Sequence, residues 1–326
     1  MIIARCPLRI SLGGGGTDLA SYYKKNEGFL VAGAINKYIY VALHKTFQEE
    51  FIAKYSKIER EESWQLISHP IIHEVFNCFG NNMKNIEITS FADIPGGTGL
   101  GSSSAFTNSL IKAVFAANLE DIHNLELAAK SCHIEIDRLG EPIGKQDQYI
   151  TALGGVREIT FMTDDTVKSS LIYSNPDDCR ELASNLVMVF TGISRSASSI
   201  LADQKNKSET DNKEMIENLH KTKLLGIKSA KMLKEKKYDE FGLIMHEHWQ
   251  NKKARSPGMS QENIDSIYEL GLKNGANGGK VIGAGGGGFI LFQSSNSGKL
   301  KNALRKNNLR VIDFDFVQQG CELINL

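Results

Sequence analysis

Between Pro95 and Phe106 the chain reads Pro-Gly-Gly-Thr-Gly-Leu-Gly-Ser-Ser-Ser-Ala-Phe, a run whose residue types suit the holding of phosphate. Glycines let a backbone pass close to a bulky ligand because no Cβ stands in the way. Serines at a helix start cap free N–H groups or turn their hydroxyls toward a ligand. Those N–H groups and the helix dipole together favour an anion. A plain strand-to-helix turn needs one or two glycines and no serine run behind them. The Walker pattern fails, since Gly101 is followed by Ser102-Ser103 where a Lys-Ser/Thr pair is required. The dinucleotide pattern fails at Ser102, where it needs a glycine.

A second candidate is Gly192-Ile193-Ser194-Arg195, ahead of an expected helix start where N–H groups and an arginine can hold a substrate phosphate. His246 and His248 stand two apart on an expected helix, so they face different ways and make no metal pair.

The elements that must position these groups are legible from periodicity. Ile86–Phe91 alternates as a strand into the glycine run, and Ala105–Asn118 leads out as an apolar helix. Ile2–Leu12 reads as a strand broken by Pro7, which points to an edge or a bulge. Lys37–Lys45 is a strand with Glu50–Tyr55 as its partner, and Ser68–Asn81 has helical spacing. Asp121 caps a helix with Leu125, Ala128, Ala129, Cys132, Ile136 and Leu139 on one face, which Gly140 ends. Gly140–Tyr149 is a loop, followed by strands at Gly155–Met162, Val167–Tyr173 and Leu186–Thr191.

Beyond about Asp178, Asp203–Lys237 reads as one long solvated helix with a buried face. Helices follow at Phe241–Lys252 and Glu262–Lys273. Strands Lys280–Ile282 and Phe289–Gln293 then flank the glycine run 283–288. A helix at Gly298–Asn307 and a strand at Leu309–Val317 close the chain. Strands and helices mix without strict alternation, which makes the class α+β, and the second half has a ferredoxin-like pattern.

Composition narrows the function classes. With 326 residues the chain suits two domains. A formal net charge of zero gives no electrostatic case for nucleic acid or an acidic membrane surface. Lys252-Lys253 reads as a small solvated cluster. Five scattered cysteines without a Cys-x-x-Cys pair point to buried thiols in a reducing compartment. Arg5 and Arg9 break the N-terminal apolar residues, so no signal peptide is expected. No apolar run reaches membrane-spanning length, and the expected location is the cytoplasm.

Pro95 to Ala105 resembles the phosphate loop of the GHMP kinases, whose pattern is Pro-x-x-x-Gly-Leu-Gly-Ser-Ser-Ala. On that match Gly97, Gly99, Leu100, Gly101, Ser102, Ser103 and Ser104 bind the phosphates of ATP. The run Arg5–Asp18 is similar to the first family motif, with Pro7, Arg9, Thr17 and Asp18 on its Pro, Arg, Thr and Asp. The resemblance sets Arg9 near the transferring phosphoryl, where a fixed guanidinium stabilises charge. It sets Asp18 at a sugar hydroxyl, with Gly14, Gly15 and Thr17 also at the substrate. The Glu-His of galactokinases is replaced by Gly15-Gly16, so a galactose-type pocket is not implied.

Gly140–Gln148 resembles the family loop Gly-x-Pro-Ser-Gly-x-Asp-Asn with one residue more. That match makes Asp147, beside Lys145, the group that accepts the hydroxyl proton or orients the nucleophile. Glu135 and Ser103 would hold Mg²⁺. Lys280–Phe289 resembles the third motif, a rigid turn packed against the phosphate loop, with Gly285 and Gly286 at the substrate. Arg195 is the expected dock for a substrate phosphate, with Lys37 and Arg138 next in line.

Within the family the resemblance is nearest to the sugar-1-kinases of heptose 7-phosphate, followed by the kinase part of fucokinases. It implies a ribosomal protein S5 domain 2-like domain over 1–178 and a ferredoxin-like domain over 179–326. The implied reaction is ATP-dependent phosphorylation of the anomeric hydroxyl of D-glycero-D-manno-heptose 7-phosphate to the 1,7-bisphosphate. Its partners are small molecules, ATP and a sugar phosphate, and a homodimer is left open. A fucokinase-like sugar-1-kinase and a catalytically silent sugar sensor are the alternatives. Arg9, Ser103, Glu135 and Asp147 standing together speak against the sensor.

Overall fold

A computed structural model of the chain describes residues 1–80, 83–194, 198–210, 212–255 and 258–324. The first stretch runs β1 (Ile2–Gly13), α1 (Ala20–Asn26), β2 (Gly28–Lys45), β3 (Phe51–Lys54), β4 (Ile58–Glu61), α2 (Pro70–Phe79) and β5 (Ile86–Ala92). Next come α3 (Ser102–Ala117), α4 (Asn124–Cys132), α5 (Gln146–Leu153), β6 (Val156–Phe161) and β7 (Val167–Leu171). The second half holds α6 (Pro176–Ser184), β8 (Leu186–Phe190), α7 (Ser198–Glu209), α8 (Lys213–Lys234), α9 (Tyr238–Lys253) and α10 (Glu262–Lys273). The chain closes with β9 (Gly278–Val281), β10 (Phe289–Gln293), α11 (Ser297–Lys306), β11 (Val311–Ile312) and β12 (Glu322–Ile324).

β2 organises the first sheet. It is 18 residues long and pairs with β1 along most of its length. On its other side Gly28–Gly33 pairs with β6 and Ile39–Lys45 pairs with β5, so one strand serves two diverging edges. Residues Cys6 to Leu12 of β1 are all buried, an uninterrupted run that requires cover on both faces. α3 supplies part of that cover and carries polar residues inside it. Thr107, Asn108 and Ser109 are fully buried, and their side chains hydrogen-bond to backbone or to α5. Through Asn108, bonded to the Gln148 carbonyl and the Thr151 hydroxyl, α3 fixes the position of α5.

The second sheet is antiparallel in the order β11-β8-β10-β9. In chain order its strands lie fourth, first, third, second, which is the ferredoxin-like arrangement. Trp249, Ile264, Tyr268, Leu300, Val189 and Phe292 form its core. The α+β reading with two units therefore holds.

Several elements differ from their sequence readings. Pro7 does sit at a register shift, as the bulge reading expected, and just past the Ile3–Arg5 stretch where β12 pairs with β1. β3 pairs with β4 and β5 and leaves β2 alone. The helix after the glycine run begins at Ser102, and the loop 140–149 ends early at Gln146. The long helix 203–237 is two helices, with Asn212 capping the second through the Met215 N–H at 3.0 Å.

α4 starts at Asn124 and passes into a π-turn at His133–Arg138. Leu125, expected on its inner face, is 56% exposed, whereas Leu127, Ala128, Ile134 and Glu135 are buried. A π-turn adds a residue per turn and rotates the stripe that follows it. The strand expected over 309–317 shrinks to Val311–Ile312, after which Phe316 bridges to Ile35 in the first sheet. All five cysteines are free thiols, and all but Cys78 are buried. No helix among the described residues is long and apolar enough to cross a membrane.

Candidate active site

The turn into α3 begins at Gly101, whose left-handed backbone (φ 76°, ψ 29°) suits glycine and turns the chain sharply into the helix. No side chain caps this helix start, so its N–H groups are left for a ligand, and the buried Ser102 hydroxyl has no hydrogen-bond partner either. Gly96, Gly97, Gly99, Gly101, Ser102 and Ser103 wall one side of a groove with a cavity volume of about 530 Å³. Leu100 and Ser104 stand behind that wall, buried. At the apolar end lie Ile39, Ile71, Phe106 and His69, whose ring burial keeps its pKa below the ordinary histidine value. The His69 ring packs edge-on to Tyr55 and tilted against Phe106.

The opposite wall is the glycine run of the second unit. A Cβ on Gly99 would stand 2.9 Å from the Ile282 carbonyl oxygen, and one on Gly283 would stand 2.7 Å from the Gly99 Cα. The two loops touch backbone to backbone, as a rigid closing turn requires. Gly285 faces this groove, while the Gly286 N–H is spent on the Met259 carbonyl at 2.8 Å. Neither lines the second cavity described below, where the substrate reading had put them.

Glu135, turned inward by the π-turn, accepts the Ser103 hydroxyl at 2.5 Å and the Gln148 amide at 2.7 Å. Burial lifts its pKa to about 7, although Ser103, Ser104 and Gln148 all favour the charged form. One carboxylate and one hydroxyl beside an uncapped helix start make a hard-oxygen pair. Mg²⁺ is commonly held by one or two such groups together with substrate phosphates. Among the described residues no group of three or more His, Cys, Asp or Glu gathers as a self-sufficient metal site.

Arg9 of β1 grips Asp147, in the first turn of α5, through two hydrogen bonds of 2.7 and 2.6 Å. The same guanidinium donates to the Gly99 carbonyl. Lys145 turns away from this pair to Asp165, 2.6 Å distant. On the far side of Arg9 and Asp147 opens a second, polar cavity, lined by Ser11, Gly15, Gly16, Asp18, Gln146 and residues of the second unit. Groove and cavity thus share Arg9 and Asp147.

Asp18 is 6% exposed, and its two oxygens accept the N–H groups of Gly16 and Gln146 at 2.9 and 3.0 Å. Burial raises its pKa, and those N–H groups oppose the rise. A side chain on Gly144 would collide with this carboxylate. Gly14 and Thr17 do not line the cavity. The Gly14 N–H donates to His248, and the fully buried Thr17 hydroxyl donates to the carbonyls of Gly14 and Phe29. Arg195 lies outside the described residues, and Arg138 is a surface group paired with Glu74 at 2.9 Å.

The cavity holds cations that sequence reading missed: Lys252, Arg255 and Lys280, with His248 beside them. Lys252 is only 5% exposed and donates to the carbonyls of Val281 and Gly283, so it belongs to no solvated cluster. Its spacing from Met245, His248 and Trp249, all buried on α9, was the available signal. His246 and His248 do diverge: the first meets Tyr268 and the second meets Gly14.

A glycine-walled groove at an uncapped helix start, opening onto a polar cavity across one charged pair, is an arrangement that suits a small-molecule phosphotransferase. Residues 66–155 match the GHMP kinases N terminal domain and residues 229–310 match the GHMP kinases C terminal domain. The D-glycero-alpha-D-manno-heptose 7-phosphate kinase of Campylobacter jejuni is 31% identical over 98% of this chain and 98% of its own. A D-glycero-D-manno-heptose 1-phosphate kinase structure from Bacteroides thetaiotaomicron superposes with a TM-score of 0.82 at 25% identity, covering 100% of this chain and 99% of that one. The mevalonate kinase of Methanococcus jannaschii, 20% identical, shares the fold at a TM-score of 0.74 over 97% of this chain and 98% of its own. The chain belongs to the GHMP kinase family and is a kinase.

Proposed function

We propose that this kinase transfers the γ-phosphoryl of ATP to the anomeric hydroxyl of D-glycero-D-manno-heptose 7-phosphate, giving the 1,7-bisphosphate and ADP. The observation that carries the reading is the meeting of a phosphate groove and a cation-rich acceptor cavity at Arg9 and Asp147. Similarity to the Campylobacter jejuni heptose 7-phosphate kinase supports the choice of sugar. In this reading Gly96 to Ser103 cradle the ATP phosphates, and the apolar end at His69 and Phe106 takes the base.

The anomeric oxygen attacks the γ-phosphorus, its proton passes to the Asp147 carboxylate, and the bond from phosphorus to the ADP oxygen breaks. Arg9 holds Asp147 in place and faces the charge that builds on the transferring oxygens. Mg²⁺, held by Glu135 and Ser103, would supply neutralisation of phosphate charge. Asp18 keeps the loop at Gln146 against the cavity and borders the sugar site. We place the domain division at 178/179, with β12 crossing back to the first sheet.

The test is an ADP-release assay with heptose 7-phosphate, free heptose, fucose and galactose, with the product's phosphate positions assigned by ³¹P NMR. Heptose 7-phosphate should have the highest kcat/KM and should yield a phosphate on the anomeric carbon. Equal use of free heptose, or preference for fucose, overturns the substrate assignment.

A further inference from the structure

We propose that Lys252, Arg255 and Lys280 seat the phosphate already carried by the acceptor, a phosphomonoester dianion, in the wall of the cavity contributed by the second unit. The inference rests on the sugar-phosphate reading above and names the residues that would make it true. All three cations are buried, at 5, 6 and 2% exposure, and all three line the same cavity. Buried charges are ordinarily paired. Here none of the three has a carboxylate partner among the described residues: Lys252 is bonded to carbonyls, and Arg255 to Asn218, Thr222 and the Gly15 carbonyl. The Lys280 ammonium has no hydrogen-bond partner among the described residues, although its backbone pairs in the sheet.

The charged lining of the cavity gives the sign of its ligand. Among the described residues lining this cavity, the basic side chains of Arg9, Lys252, Arg255 and Lys280 face the carboxylates of Asp18 and Asp147. Both carboxylates are already engaged, Asp18 by two backbone N–H groups and Asp147 by Arg9. The excess of basic over acidic side chains favours an anion such as a phosphomonoester. One orphaned donor also belongs to this site: His248 lines the cavity, its Nε2 accepts the Gly14 N–H, and its buried Nδ1, the nitrogen left to carry the proton, has no partner among the described residues.

The Gly15-Gly16 departure from the galactokinase motif now acquires a physical reason. A Cβ on Gly16 would come within 2.6 Å of Arg255 Nη1, so glycine there leaves the guanidinium room in the cavity. Burial and mutual repulsion also push Lys280 down to about 7 and Lys252 well below its ordinary value. A bound dianion reverses both effects by supplying the missing countercharge.

The experiment uses the full chain and a Lys280→Met variant, which loses a charge but no hydrogen bond and keeps a similar volume. Inorganic phosphate is titrated calorimetrically into each protein saturated with a non-hydrolysable ATP analogue, so that the glycine loop is filled. Wild type should bind phosphate, and the variant should bind at least about tenfold more weakly. Equal binding by both, or binding by neither, overturns the site. In kinetics the variant should raise the KM for heptose 7-phosphate about ten- to a hundredfold, so that kcat/KM falls at least about tenfold further for heptose 7-phosphate than for free heptose. An equal fall on both sugars overturns it as well. Wild type using free heptose and its 7-phosphate alike would sink the sugar-phosphate reading, and the phosphate titration would still decide whether the site exists.

Discussion

Asp147 is 27% exposed at the junction of groove and cavity, with Arg9 holding both its oxygens from behind. An amide there keeps the shape but cannot take a proton from the acceptor. Asp147→Asn should lower kcat by about a hundredfold or more with the KM for ATP little changed. Steady-state kinetics check this, and a variant with most of its turnover would make the aspartate structural.

Lys280 carries a prediction of the opposite kind. Its folded pKa of about 7 lies below its ordinary value of 10.5, so between those values the unfolded chain binds more protons. Its burial therefore costs stability fully below about pH 7, and the cost fades as pH rises toward 10. Arg255, which faces it and which burial lowers to about 10, keeps its charge through most of that range and holds the penalty in place. Ligand-free Lys280→Met should melt higher than wild type at pH 7, with the gap closing by pH 10. A lower melting temperature at pH 7 would show the lysine to be satisfied in the fold.

At the scale of elements, the glycine loop mixes positions that serve the ligand with positions that serve packing. A Cβ on Gly96 meets nothing within 4 Å, while one on Gly99 meets the backbone at Ile282 in a left-handed conformation. Gly96→Val should weaken ATP binding with an unchanged melting temperature, because the added carbons enter the groove alone. Gly99→Val should lower the melting temperature as well, since it pushes the two loops apart. Calorimetric titration and thermal melts on the pair separate the two roles. Equal melting temperatures for both variants would refute the loop-on-loop contact. Spacing made this run legible as a phosphate loop, but it could not assign each glycine to ligand or partner loop. The inward turn of Glu135 was illegible for a related reason: a π-turn shifts the helical phase by one residue, and periodicity assumes a constant phase.

The whole molecule is closed by its C-terminal segment. Phe316 is buried over Gly33, which has no side chain to contest the space, and β12 pairs with β1. Phe316→Ala should cost about 3 kcal/mol, seen as a lower urea midpoint with an unchanged slope. An unchanged midpoint would mean the segment is only draped on the sheet. The sequence read 309–317 as one strand, whereas Val311–Ile312 pairs in the second sheet and Phe316 bridges to the first, because alternation reports a strand and is silent about its partner.

The same division runs through the active site. The contiguous runs around Arg9, Asp147 and Ser102-Ser103 could be singled out because each is a motif of a few adjacent residues, and the groove and the cavity meet at Arg9 and Asp147. Lys252, Arg255 and Lys280 come from the end of α9 and from β9, and the first unit faces them with Arg9 and Asp18. Whether a lysine is solvated or locked in a cavity depends on what packs over it. That is set by contacts between residues far apart in the chain, and only the tertiary structure decides it.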